Sequence, residues 1–140
     1  MKRWIVILIS VCMLLTGCGF GDSPETVEKD IFGDLSVENI ESIELDADLV
    51  NKAIQLSHEQ IKQCISILHK VGNVNKVSSE ILVGQMIRCT ITRKDGSSTE
   101  IKIMSPNIIV DGVWYETNDN DEACEQFSQF ANEALDSVFK

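Results

Sequence analysis

The dipeptide Asp111-Gly112, set between Asn-Ile-Ile-Val (107–110) and Val-Trp-Tyr-Glu (113–116), restricts the fold of this chain more than any other local feature. A two-residue hairpin turn of the mirror-image type needs positive φ at its central positions, which Asp-Gly tolerates, so the flanking apolar segments must run antiparallel. Three cross-strand pairs follow: Val110 with Val113, Ile109 with Trp114, and Ile108 with Tyr115. A second Asp-Gly stands at 95–96. A two-residue turn there would set Ile91 against Glu100, the apolar side of one strand against the polar side of the other. A three-residue loop, Asp95-Gly96-Ser97, instead pairs Ile91 with Ile101, Cys89 with Ile103 and Thr92 with Glu100, and this is the expected hairpin.

The preceding segments supply more of the same domain. In "IESIELDA", Ile43 and Leu45 alternate with Glu44 and Asp46, and "KAIQLS" repeats the alternation with Ile54 and Leu56, as in half-buried strands. Ser57 followed by Gln60 is a capping box, after which Ile61, Cys64, Ile65, Leu68 and Val71 recur at helical spacing until Gly72. A second helix closes the sequence. Asp119 or Asp121 can cap it, and Ala123, Phe127, Phe130, Ala131, Ala134, Leu135 and Val138 form its apolar face. The expected fold class is α+β: an antiparallel sheet of about four to six strands with two helices packed on one face. Its expected span is residues 40–140. A chain of 140 residues, 44% of them hydrophobic, has room for one such domain.

The first 18 residues have another character. Lys2 and Arg3 precede an uncharged run from Trp4 to Leu15, twelve residues long, and no acid occurs before Asp22. A membrane-spanning helix needs about 20 apolar residues, so the layout is that of a cleaved signal peptide. The run Leu15-Thr16-Gly17-Cys18, an aliphatic residue, two small residues and a cysteine, resembles the lipobox of bacterial lipoproteins. That resemblance implies a covalent diacylglyceryl lipid on the Cys18 thiol and cleavage between Gly17 and Cys18. Residues 1–17 are then the signal peptide, and residues 18–39, with three glycines, one proline and many acids, read as the lipidated N-terminus and a tether. Ser23 before Pro24 could cap a short helix there, with Val27 and Ile31 on one face and Gly33 at its end. The implied location is the extracytoplasmic face of a cell membrane, held by the lipid. Gly19 replaces the Asp that retains many lipoproteins in an inner membrane, so single-membrane and outer-membrane placements both remain open.

Loss of Lys2 and Arg3 leaves ten basic against 22 acidic residues, a formal charge of −12. Such a field repels nucleic acid and anionic headgroups, so no nucleic-acid partner is expected and the membrane is engaged through the anchor. No recognisable catalytic set or glycine-rich phosphate loop is present, and no cofactor is expected besides the covalent lipid. His58 and His69 both fall on the first helix.

Two surface candidates remain. If Ile108, Val110, Val113 and Tyr115 face the core, Ile109 and Trp114 form an apolar patch on the other side, suited to anchoring an envelope or extracellular protein. The competing reading has the segment from Asn73 to Gly84 cover Trp114 in a small second core. Glu116, Asp119, Asp121 and Glu122 gather hard oxygens that suit a cation, without the glycine and distal Glu of the known calcium loop. A binding module is therefore the first functional reading, a small-ligand or cation receptor the second, and an envelope enzyme the third. Of the exported cysteines, Cys64, Cys89 and Cys124, the first two lie on apolar faces and are expected as buried thiols. A Cys64–Cys89 bridge is the alternative, and zinc a weaker one.

Cys18→Ala is expected to abolish lipidation and leave the precursor uncleaved. Intact-mass spectrometry of the membrane fraction checks this, and a wild-type mature N-terminus elsewhere, with unmodified Cys18, would refute the anchor.

Overall fold

The computed structural model describes residues 28–47, 51–78, 86–117 and 121–139. Among these residues the chain forms eight strands in one sheet and two α-helices. The strands are β1 (Lys29–Asp30), β2 (Ile40–Ala47), β3 (Lys52–Gln55), β4 (Asn73–Lys76), β5 (Ile87–Arg93), β6 (Ser98–Met104), β7 (Asn107–Val110) and β8 (Val113–Thr117). The helices are α1 (His58–Val71) and α2 (Asp121–Val138), and a 3₁₀ turn spans Val37–Asn39. The sheet order is β1-β4-β8-β7-β6-β5-β2-β3, with every neighbouring pair antiparallel. The α+β class is as expected, whereas eight strands exceed the expected four to six. The two strands missed are β1 and β4, whose sequences Lys-Asp and Asn-Val-Asn-Lys carry no apolar alternation.

Burial follows the alternation. Ile43, Leu45, Cys89, Ile91, Ile101 and Ile108 are fully buried on one face of the sheet, in one cluster with Leu68 of α1 and Phe127 of α2. In β2 a register shift between Ile40 and Ser42 inserts one residue, which lets Ile40 join Ile43 on the buried face although they are three positions apart. The helices contact each other, and α2 also contacts β6 and β3. The capping box of α1 is made as expected: the Gln60 amide donates to Ser57 Oγ at 3.3 Å, and the Ser57 amide donates to Gln60 Oε1 at 2.9 Å. Gly72, with φ of 66°, ends the helix in a conformation that side chains rarely adopt. Val138, expected on the apolar face of α2, is instead 61% exposed in the last turn.

At Asp111-Gly112 the φ values are 48° and 81°, and all three expected pairs of that hairpin are present. The first hairpin needs a correction. Cys89 pairs with Ile101, Ile91 with Thr99, and Thr90 with Glu100, so the register is two residues from the expected one. The loop does have three residues, but they are Lys94, Asp95 and Gly96: Arg93 N donates to Ser97 O, and Gly96 N to Arg93 O. Gly96, at φ 87°, takes the left-handed position that ends such a loop, and the expected register had placed it in the middle. A shift of two keeps every side chain on its face, so the core prediction survives the error. Asp95 Oδ1 accepts bonds from the Ser97 hydroxyl at 2.7 Å and the Ser97 amide at 2.8 Å, which hold its pKa below the usual aspartate value.

Part of the expected tether belongs to the fold. Lys29 and Asp30 pair with Val74 and Asn73, and Phe32 and Leu35 are buried in the main core. The proposed helix with Ile31 on its face and Gly33 at its end does not form over the described residues, where a strand is followed by a turn. Asp30 Oδ1 accepts the Phe32 amide at 3.1 Å and the carboxylate folds back so far that a Cβ on Gly33 would meet Oδ2 at 2.5 Å. His69 Nε2 donates to the Leu35 carbonyl at 2.9 Å and ties this segment to α1. Val27 and all residues before Glu28 lie outside the described residues.

Phe32→Ala is expected to cost about 3–5 kcal/mol of stability, measured as a lowered urea midpoint. A segment that served only as a tether would leave the midpoint in place.

Candidate functional site

The pleat that buries one set of side chains presents the alternate set on the opposite face. Pairing aligns Asp46 with Arg88, Arg88 with Lys102, Lys102 with Ile109, and Ile109 with Trp114, in one rung across five strands. The Val77 amide donates to the Trp114 carbonyl at 3.0 Å, which carries the rung on beside β8. Ile109 and Trp114 thus come together on this face as the turn at 111–112 requires, and Val77 is added to them. Val77 has no alternation partner in the local sequence and becomes adjacent only through the β4–β8 pairing. All three are partly buried. They are not among the side chains packed against the main core, unlike Val110 and Tyr115 from the same hairpin.

The other half of the rung is charged. Arg88 reaches Asp46 Oδ2 at 3.2 Å and Glu100 Oε2 at 3.3 Å, and Lys102 Nζ lies 3.1 Å from Glu100 Oε1. These side chains are 25–44% exposed, a setting in which an ion pair contributes about 0–1 kcal/mol. The network therefore does more to fix the surface pattern than to hold the fold: a neutralised charge cluster over β2, β5 and β6, then an apolar strip over β7 and β8. Glu116, exposed on the same face as Trp114, pairs with Asn107 on one side and Asn75 on the other and borders the strip.

The segment expected to cover Trp114 is placed in part. Asn73 to Lys76 lie beside β8 as β4 and extend the sheet, and residues 79–85 lie outside the described residues. Gly17 and Cys18 are outside them too. Of the candidate cation ligands, Asp119 is outside, and the others do not converge. Glu116 projects from the sheet face opposite Thr117, Asp121 Oδ1 accepts the Thr117 hydroxyl at 2.8 Å, and Glu122 Oε1 accepts Gln126 Nε2 at 3.1 Å. Asp121 is the first residue of α2. Among the described residues, no three His, Cys, Asp or Glu side chains are grouped to hold a metal ion.

The histidines separate in the same way. His58 is exposed in the first turn of α1, and His69, bonded to the Leu35 carbonyl, borders an open depression of about 390 Å³ with Glu38, Lys62 and Ser66. A wider concavity, about 560 Å³, lies at the end of the sheet between Asp34, Ser36, Asn39, Arg93, Lys94 and Asp95. Between sheet and helix the space lined by Ile87, Ile103 and Phe127 is about 160 Å³, less than the roughly 300–1,000 Å³ of ordinary small-molecule sites.

Cys64, Cys89 and Cys124 carry free, buried thiols. The Cys89 thiol hydrogen-bonds with that of Cys64, and this contact, with burial, holds its pKa well above the usual thiol value. Burial and the nearby Asp121 carboxylate push Cys124 up to about 11. Among the described residues no helix is long and apolar enough to cross a membrane. Compared with known proteins, the chain matches no family model, no curated protein and no solved structure.

The chain has two tryptophans, Trp4 and Trp114, so a Trp4→Phe variant reports on Trp114 alone. Its native emission is expected to be quenched by acrylamide to a degree between those of a free and a fully buried indole. Trp114→Ala is expected to cost less than the about 3–5 kcal/mol of a core aromatic, read as a small shift of the urea midpoint.

Proposed function

We propose that this chain is a bacterial lipoprotein, anchored through a diacylglyceryl group on Cys18 at the extracytoplasmic face of a membrane, whose ectodomain binds an envelope or extracellular protein. In this reading both helices pack on the buried face of the sheet, and the strip of Ile109, Trp114 and Val77 on the opposite face is the docking surface. The observation that carries it is the alignment of Ile109 with Trp114 in one rung beside Lys102, away from the main core. A rigid aromatic flanked by an aliphatic side chain and rimmed by charge has the composition of a binding hot spot. The −12 charge of the processed chain favours a protein over nucleic acid or anionic lipid. The lipobox resemblance supports the anchor, which would hold this surface near other envelope components.

A small-ligand receptor is the second reading, favoured by the cleft at Arg93 and Lys94, where two cations, two carboxylates and polar Ser36 and Asn39 line about 560 Å³. A catalytic role would need an acid paired with His69, whose Nε2 is engaged by the Leu35 carbonyl.

A photo-crosslinking residue in place of Glu116, in the anchored protein within its own cells, tests the docking surface. The expected product is a specific protein adduct that is lost with Trp114→Ala while the urea midpoint shifts little, and retained with a control change at exposed Glu59. Adducts only to the chain's own residues 79–85, abolished when Ile81, Leu82 and Val83 are replaced by serine, would refute the reading and make the strip an internal contact.

A further inference from the structure

The one place after Cys18 where two basic residues are adjacent is Arg93-Lys94, at the end of β5. The segment that enters β2 meets them there: Ile40 pairs with Arg93, and the Lys94 amide donates to the Asn39 carbonyl at 2.9 Å. From this junction the two stretches of chain line the cleft of about 560 Å³, with buried Ile40 in its lining. Arg93 Nη1 donates to Thr99 Oγ1 at 2.8 Å, which fixes the guanidinium and leaves its other N–H groups for a ligand. Lys94 and Asp34 are exposed, and among the described residues neither takes part in an ion pair. Asp95 is more occupied, because its Oδ1 already accepts two bonds from Ser97.

We propose that this cleft binds a small zwitterion, an amino acid or a short peptide with free termini, holding its carboxylate on Arg93 and Lys94 and its ammonium on Asp34. Ligand binding here rests on the small-ligand reading given above, and the charges that line the cleft add the class of ligand. The docking strip on the sheet face plays no part in it.

The mixture of lining charges selects against simpler ligands. A bare anion drawn to Arg93 and Lys94 would meet Asp34 and Asp95 in the same cleft, and would approach a chain whose formal net charge is −10. A bare cation drawn to Asp34 would meet the two basic side chains. A molecule that carries both charges and no net charge meets neither penalty. The planar guanidinium of Arg93 matches the two oxygens of a carboxylate, and the Lys94 ammonium adds a point charge beside it. Asn39 and Ser36 contribute a carboxamide and a hydroxyl to the same lining, groups that suit the N–H and C=O of a peptide unit. The volume of about 560 Å³ falls within the roughly 300–1,000 Å³ of small-molecule sites.

Trialanine, N-acetyl-trialanine, trialanine amide and alanine separate the charges and the sources. Each is titrated against the full chain in micelles of an uncharged detergent, and binding is read by saturation-transfer difference NMR. Trialanine is expected to saturate, and each singly blocked form to bind about fivefold more weakly, the loss of one exposed ion pair. Lys94→Gln is expected to shrink the difference between trialanine and its amide, and Asp34→Asn the difference between trialanine and its acetylated form. Glu59→Gln should change neither, and all three variants should keep the wild-type urea midpoint. Alanine binding as tightly as trialanine assigns a free amino acid as the source, tighter trialanine assigns a peptide, and both support the class. A blocked peptide that binds as tightly as trialanine, yet loses affinity with Lys94→Gln or Asp34→Asn, overturns the zwitterion and leaves the cleft a small-ligand site. No saturation with any probe overturns the proposal, and saturation that neither variant weakens overturns the small-ligand reading of this cleft as well.

Discussion

One apolar rung runs across most of the sheet, and the remaining structure is arranged around it. Ile54, Leu45, Cys89, Ile101, Val110 and Val113 follow one another in register over β3, β2, β5, β6, β7 and β8. Leu45, Cys89 and Ile101 are completely buried, together with Leu68 of α1 and Phe127 of α2. Burial of each such aliphatic side chain is worth about 1.5–3 kcal/mol, so moving any strand by one residue would expose its contribution to this row. The row therefore fixes the register of six strands at once. Residues of both helices, Leu68 and Phe127 among them, join the same buried cluster.

Because side chains alternate across a pleated strand, that same register decides the opposite surface. The neighbouring rung carries Asp46, Arg88, Lys102, Ile109 and Trp114, and its order across the face is inherited from the buried row. An apolar strip built in this way sits on paired backbone, with its aromatic next to a turn whose two residues take the positive φ they require. Cys89 takes its buried place by the same geometry, at the centre of the apolar rung between Leu45 and Ile101.

Features set by short-range chemistry were legible in the sequence. The capping box at Ser57 and Gln60, the stop at Gly72, and the three pairs of the 111–112 hairpin each depend on backbone and side-chain groups a few residues apart. The alternation of Ile43, Leu45, Ile54 and Leu56 likewise marked the buried face correctly. The loop at 94–96 was harder, since an Asp-Gly pair allows more than one position for its glycine and a shift of two leaves the hydrophobic pattern unchanged. β1 and β4 escaped notice because they are short and polar, and strand pairing there depends on Val74, Asn73 and β8 being brought together.

By itself the sequence determined the class of the fold, the two helices and many of the side chains that are hidden, because apolar period and turn chemistry are local properties. The proposed anchor likewise rests on a contiguous motif, the run ending at Cys18. Only the tertiary structure decided that Phe32 and Leu35 belong to the core and that Val77 stands beside Trp114. Each of these joins residues separated by long stretches of chain, and no local periodicity encodes which distant partner a strand or helix face will find. That choice is made when the whole apolar surface is buried at once.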